Sequence, residues 1–126
     1  MNDSALLFVY GSLRPDSGHE MSLWLAATAK WEGPAFVLGR LLRVSWYPGL
    51  VSGEGRVRGD LYQVSTETLL ELDRYEGIRQ RPDDEYQRQA GVVERPSGES
   101  VAAWIYWFIQ PVSGLELLPH GDWLQQ

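Results

Sequence analysis

With 126 residues, 44% of them apolar and 22% charged, the chain has the size and composition of one soluble globular domain, residues 1–126, able to bury a core without staples. It contains no cysteine, which excludes disulfides, thiolate nucleophiles and cysteine-ligated metals. A net charge of −6 argues against nucleic acid or an anionic membrane as a partner.

The first residues, Met1-Asn2-Asp3-Ser4, lack the basic start and apolar stretch of a signal peptide, and the apolar run after them is too short to span a bilayer, so a cytoplasmic protein is expected. That run, residues 5–10, is continuous up to Gly11 and reads as a strand buried on both faces. It leads into Gly11-Ser12-Leu13-Arg14-Pro15-Asp16-Ser17-Gly18, a loop punctuated by glycine and proline. Residues 19–29 read as a helix with Met21, Leu25 and Thr28 along one side. Trp31-Glu32-Gly33-Pro34 breaks that helix, and residues 35–46 read as a strand with a bulge at Gly39. Turns are expected at Tyr47-Pro48-Gly49-Leu50 and at Ser52-Gly53-Glu54-Gly55, followed by an alternating strand over residues 56–64.

Residues 65–77 form the most informative stretch. They start on a Ser/Thr cap, end at Gly77, and predict a short helix. At about 100° per residue, Leu69, Leu72 and Glu76 share one face, while Glu67, Glu71 and Arg74 gather on the other. Glu76 therefore falls on the apolar stripe, where a carboxylate is costly unless it is paired or functional. Two readings stand at this point: a carboxylate that swings to water from a frayed last turn, or a general base poised near neutral pH by burial. Downstream, residues 85–94 and 100–110 read as a β-hairpin across Arg95-Pro96-Ser97-Gly98-Glu99. The tail ends with Trp123-Leu124, expected to dock on the body. Strands outnumber helices without alternating with them, so the expected fold is α+β: a small, curled, mixed sheet or barrel of five to six strands with two helices to one side.

Few chemistries survive. A buried strand ending in Gly11-Ser12 offers free backbone N–H groups, a natural anion or oxyanion receptor, although a plain tight turn is the other reading. Ser12 lies outside a Gly-x-Ser-x-Gly elbow, which disfavours it as a nucleophile. Asp73 and Glu76, three apart on one helix, cannot straddle a sugar ring as a glycosidase pair does. The pairs His19-Glu20 and His120-Asp122 have no recognised metal-ligand spacing. Aromatics such as Tyr47, Tyr86, Trp104 and Trp107 are ambiguous between core and ligand contact, and Arg88 is positioned to neutralise a carboxylate such as Glu76 or Asp73.

Taken together, Tyr10-Gly11-Ser12-Leu13, Tyr47-Pro48-Gly49-Leu50, Gly59-Asp60-Leu61-Tyr62, Leu72-Asp73-Arg74-Tyr75-Glu76-Gly77 and Tyr86-Gln87-Arg88 resemble, in order and approximate spacing, the motifs of the γ-glutamylcyclotransferase-like (AIG2-like) proteins. The resemblance implies a small mixed β-barrel with flanking helices, a cavity at one barrel end, and no cofactor. It implies a cyclotransferase that converts the γ-glutamyl group of a γ-glutamyl amine or γ-glutamyl amino acid into 5-oxoproline and releases the amine. On this reading Glu76 is the general acid/base, residues Tyr10, Gly11, Ser12 and Leu13 hold the substrate carboxylate or oxyanion, and Tyr86 hydrogen-bonds within the site. Trp46, Arg14 and Trp107 are candidates for the leaving-group side. Such a reaction needs no protein nucleophile, because the substrate's own amine attacks and proximity supplies much of the rate. Two further expectations remain: a binding module for a small acidic metabolite on the same scaffold, and another intramolecular acyl transfer or amide hydrolysis using the same glutamate.

Overall fold

The computed structural model describes residues 4–125, so the reading made on Met1, Asn2 and Asp3 lies outside the described residues. In chain order the elements are β1 (Ala5–Val9), α1 (Glu20–Thr28), β2 (Lys30–Arg43), β3 (Pro48–Val64), α2 (Thr66–Tyr75), β4 (Tyr86–Glu94), β5 (Ser100–Phe108) and β6 (Glu116–Leu117), then a 3₁₀ turn at Trp123–Gln125. The sheet runs β3-β1-β5-β4-β2-β6, and β2 also pairs with β3, which closes the first five strands into a barrel. β1 and β5 are parallel and the other pairs antiparallel, so the barrel is mixed, as expected.

Alternation along the strands divides the core in two. Phe8 of β1, Val37 of β2, Leu61 of β3, Val93 of β4 and Ile105 of β5 belong to one buried cluster that draws on all five barrel strands, and this cluster is the barrel interior. Leu7 and Val9 point the other way, into a second cluster with Leu25 of α1 and Leu69 and Leu72 of α2. Both faces of β1 are therefore covered, which explains its unbroken apolar run. No helix among the described residues is long and apolar enough to cross a membrane.

Several boundaries differ from the sequence reading. Helix α1 ends before Trp31-Glu32-Gly33-Pro34, as expected, but the strand starts earlier than residue 35: β2 runs from Lys30 through this stretch with a register shift between Trp31 and Gly33, where glycine takes a φ of 110°. The hairpin joining β2 to β3 turns at residues 44–47, with Arg43 opposite Pro48, rather than at residues 47–50. Pro48 is drawn into the sheet because its ring packs on Gly11 and its carbonyl accepts a hydrogen bond from Tyr86. The second expected turn, residues 52–55, is an outward bulge opposite Gly39: pairing passes from Arg40 with Val51 to Leu38 with Arg56. In α1, Thr28 is exposed; Ser22 takes the buried position because its hydroxyl is satisfied by the His19 carbonyl at 2.6 Å. The tail docks as expected, with Trp123 against the barrel-interior cluster and beneath the Arg43 guanidinium.

Candidate active site

Helix α2 delivers Glu76. Ser65 caps its first turn, accepting from Thr68 N at 3.1 Å. Its other end is a Schellman motif: Ile78 N donates to Asp73 O at 2.9 Å, Gly77 N to Arg74 O at 3.0 Å, and Gly77 holds a φ of 72°. Glu76 is the C-cap residue inside this motif, its own N–H bonded to Leu72 O at 2.8 Å. The backbone carrying the carboxylate is thus locked rather than frayed.

The carboxylate faces a cavity of about 160 Å³ at one end of the barrel. Tyr10, Gly11, Ser12, Leu13 and Tyr86, named above from the sequence, line the same cavity as Glu76; Trp46, Tyr47, Pro48, Tyr75, Glu85 and Tyr106 complete most of the wall. No Arg or Lys is among the lining residues. Burial pushes the Glu76 carboxyl up from 4.5 to about 8, and the charges of Glu85 and Asp73 push in the same direction. Its position at a helix C-terminus, where the backbone carbonyls point, disfavours the anion further. Among the described residues, no group donates a hydrogen bond to this carboxylate.

The surrounding phenols are committed elsewhere. Tyr10 donates to the Tyr106 carbonyl at 2.5 Å and accepts from Leu50 N at 3.3 Å. Tyr86 donates to the Pro48 carbonyl at 2.5 Å, so its hydroxyl positions the β2–β3 hairpin and its proton is already engaged. Tyr106 donates to Asp73 Oδ1 at 2.7 Å, and Arg88 binds both oxygens of Asp73, at 2.8 and 3.1 Å. Arg88 therefore neutralises Asp73, not Glu76. Burial raises the pKa of Tyr10, Tyr86 and Tyr106, which keeps these wall hydroxyls as neutral donors.

The loop after β1 forms another part of the wall. The amides of Gly11, Ser12 and Leu13 have no acceptor among the described residues. At Gly11 a Cβ would come within 2.8 Å of the Pro48 ring, so only glycine allows loop and hairpin to approach this closely. Ser12 Oγ lies 3.1 Å from Tyr75 Oη, which lies 3.4 Å from His19 Nε2. His19 Nδ1 accepts from Met21 N at 3.0 Å as the N-cap of α1, which leaves the proton on Nε2. Further out, Arg14 binds Asp60 Oδ2 at 2.9 Å and Asp122 Oδ1 at 2.7 Å, tying the loop to β3 and the tail.

Of the residues considered for the leaving-group side, only Trp46 lines the cavity. Arg14 is committed to its two carboxylates, and Trp107 packs against the barrel interior. Sequence reasoning passed over Tyr75, Glu85 and Tyr106 as wall residues. Tyr106 had a signal, since its alternation with Ile105 turns it away from the barrel interior; Glu85, just before β4, had none. Among the described residues, no group of three or more His, Asp or Glu is placed to hold a metal ion.

The architecture agrees with comparisons to known proteins. The family model described as gamma-glutamyl cyclotransferase, AIG2-like, matches residues 7–125, and the chain belongs to that family. The gamma-glutamylcyclotransferase family protein YtfP of Escherichia coli K12 is 37% identical over 127 residues, covering 95% of this chain and 96% of YtfP. The solution structure of ytfP from Escherichia coli superposes with a TM-score of 0.65, at 36% identity over 95% of this chain and 96% of that one. YkqA of Bacillus subtilis matches with a TM-score of 0.72 and 27% identity over 95% of this chain; the match spans only 39% of YkqA. An AIG2-like protein from Mus musculus has a TM-score of 0.72 at 22% identity, covering 96% and 95% of the two chains, and shares the fold.

Proposed function

We propose that the chain is a γ-glutamylcyclotransferase that converts a γ-glutamyl amine into 5-oxoproline and the free amine, with Glu76 as the single proton carrier. The observation that supports this reading is one cavity lined both by a carboxylate on a fixed backbone, its pKa pushed up to about 8, and by a loop with three unpaired amides. The substrate's α-carboxylate or its developing oxyanion binds to the amides of Gly11, Ser12 and Leu13. Its α-ammonium then lies toward Glu76, and this positive charge draws the carboxyl into its ionised form.

Glu76 takes one proton from the α-ammonium. The freed α-amine attacks the γ-carbonyl carbon, forming the ring C–N bond and a tetrahedral oxyanion. Glu76 passes its proton to the nitrogen of the departing amine and takes the surplus proton from the ring nitrogen. The bond between the γ-carbon and the departing nitrogen breaks, and the amine leaves as an ammonium once the second proton follows. Two protons have moved from one nitrogen to the other, and none is consumed. A carrier near pH 8 suits both transfers, because its affinity for the proton lies close to that of an amine. Holding amine and carbonyl in one folded molecule supplies the rest.

The direct test is a panel of γ-glutamyl amines and γ-glutamyl amino acids incubated with the protein, with 5-oxoproline quantified by chromatography. Product from at least one substrate, at a rate proportional to protein, is the expected outcome. A panel without product, on protein whose circular dichroism shows it folded, would sink the proposal.

A further inference from the structure

Resting on the cyclotransferase reading, we infer that the mouth of the Glu76 cavity is a leaving-group subsite for a cation. The indole of Trp46, the ring of Tyr47 and the carboxylate of Glu85 receive a positively charged group carried by the departing amine, such as the distal ammonium of a diamine or polyamine.

Size argues first. A cavity of about 160 Å³ falls well below the ~300–1,000 Å³ that encloses a drug-sized ligand. It suits the five-carbon acyl unit, so whatever hangs from the γ-nitrogen must lie across the mouth. There the surface is aromatic and acidic. Trp46 is 61% exposed although it borders the cavity, which leaves indole surface open to a ligand. It is not loose: its ring stacks on His19 at 5.5 Å with planes 5° apart, and meets the edge of Tyr47 at 5.0 Å. An exposed indole held from two sides is a platform on which an ammonium gains a cation–π contact.

Charge argues second. The Tyr47 hydroxyl lies 2.7 Å from each Glu85 oxygen and holds that carboxylate at the cavity. Among the described residues Glu85 has no ion pair, its only side-chain partner being this neutral phenol. Glu85 also raises the pKa of Glu76. A cation bound between them would relieve that repulsion and return Glu76 toward the ionised form that the first proton transfer needs. With no Arg or Lys in the lining, a leaving amino acid would bring its carboxylate to a surface with no cation to meet it.

The test compares mono-γ-glutamyl-1,4-diaminobutane with γ-glutamyl-n-pentylamine, in which a methyl group replaces the distal ammonium. In the unmodified protein kcat/KM for 5-oxoproline release should favour the cationic substrate by about tenfold or more. In Glu85→Gln and in Trp46→Phe that ratio should fall toward unity, whatever happens to the absolute rates. A ratio near one in the unmodified protein, or a preference that survives Glu85→Gln, overturns the inference. Equal losses on both substrates also overturn it, since they place Glu85 on the γ-glutamyl group itself. Calorimetric titration with free 1,4-diaminobutane and with n-pentylamine keeps the two readings separate. Saturable binding of the diamine alone, abolished in Glu85→Gln, supports the cation site even if no substrate is turned over, in which case the cyclotransferase reading fails by itself. No binding of the diamine together with no discrimination between substrates sinks the inference.

Discussion

Between pH 4.5 and about 8 the folded chain keeps a proton on Glu76 that the unfolded chain has already released. The native state then binds more protons, so stability falls as pH rises through this window; below 4.5 both states are protonated and the cost vanishes. An uncharged Gln of the same shape escapes it. Urea unfolding should find Glu76→Gln gaining on the unmodified chain by roughly 2–4 kcal/mol between pH 5 and pH 8.5. A constant difference across that range would contradict a buried, proton-holding Glu76. Arg88 acts on the same carboxyl from one residue away. It neutralises Asp73 through two hydrogen bonds, and Asp73 raises the pKa of Glu76. Arg88→Met should therefore leave Asp73 less compensated and move the rising limb of the kcat/KM profile to higher pH, with a stability loss of about 2 kcal/mol. Rates that fall without any shift of that limb would leave Arg88 a purely structural residue.

At the level of elements, three connecting segments meet the start of β4 and Tyr106 of β5 at the cavity: the C-cap of α2, the loop after β1 and the hairpin between β2 and β3. Each is held by a different device. The α2 end depends on Gly77 at a φ of 72°, so Gly77→Ala should cost about 1 kcal/mol in thermal or chemical unfolding and lower turnover by re-aiming Glu76. The β1 loop depends on Arg14 bridging Asp60 and Asp122, all three largely buried. Asp122→Ala removes one acceptor from a buried guanidinium and should cost about 3 kcal/mol, readable as a lower urea midpoint. A neutral result would show that the tail does not brace the loop. The helix was legible because cap, periodicity and terminal glycine all agreed. The hairpin was displaced by about three residues because Tyr47-Pro48-Gly49 carries strong turn chemistry, and only the long-range seating of Pro48 on Gly11 and Tyr86 overrides it.

For the whole molecule, strand count and the order of motifs were enough to foresee a mixed barrel with helices to one side. The pairings that close it were not readable, namely the β2–β3 ladder sustained over both long strands and the Phe36–Glu94 bridge between β2 and β4. The site was legible where a residue broke a local rule: Glu76 on an apolar stripe, and Gly11 ending a buried strand. Residues that obey local rules stayed hidden. Glu85 is an ordinary polar residue before a strand, and only the meeting of β4 with the Tyr47 hairpin turns it toward the cavity. The acidic balance of the chain also acquires a local meaning, because the cavity itself contains two glutamates and no cation.

Everything proposed for the cavity depends on Glu76 carrying the proton of an intramolecular cyclisation. The most direct test of that role is the pH dependence of 5-oxoproline release from a γ-glutamyl amine by the unmodified chain and by Glu76→Gln. In the unmodified chain kcat/KM should rise with unit slope to a bend near pH 8. Glu76→Gln should lose about 10²-fold or more while retaining the folded circular dichroism spectrum. Comparable rates in the two proteins, or the same bend persisting in Glu76→Gln, would contradict that role.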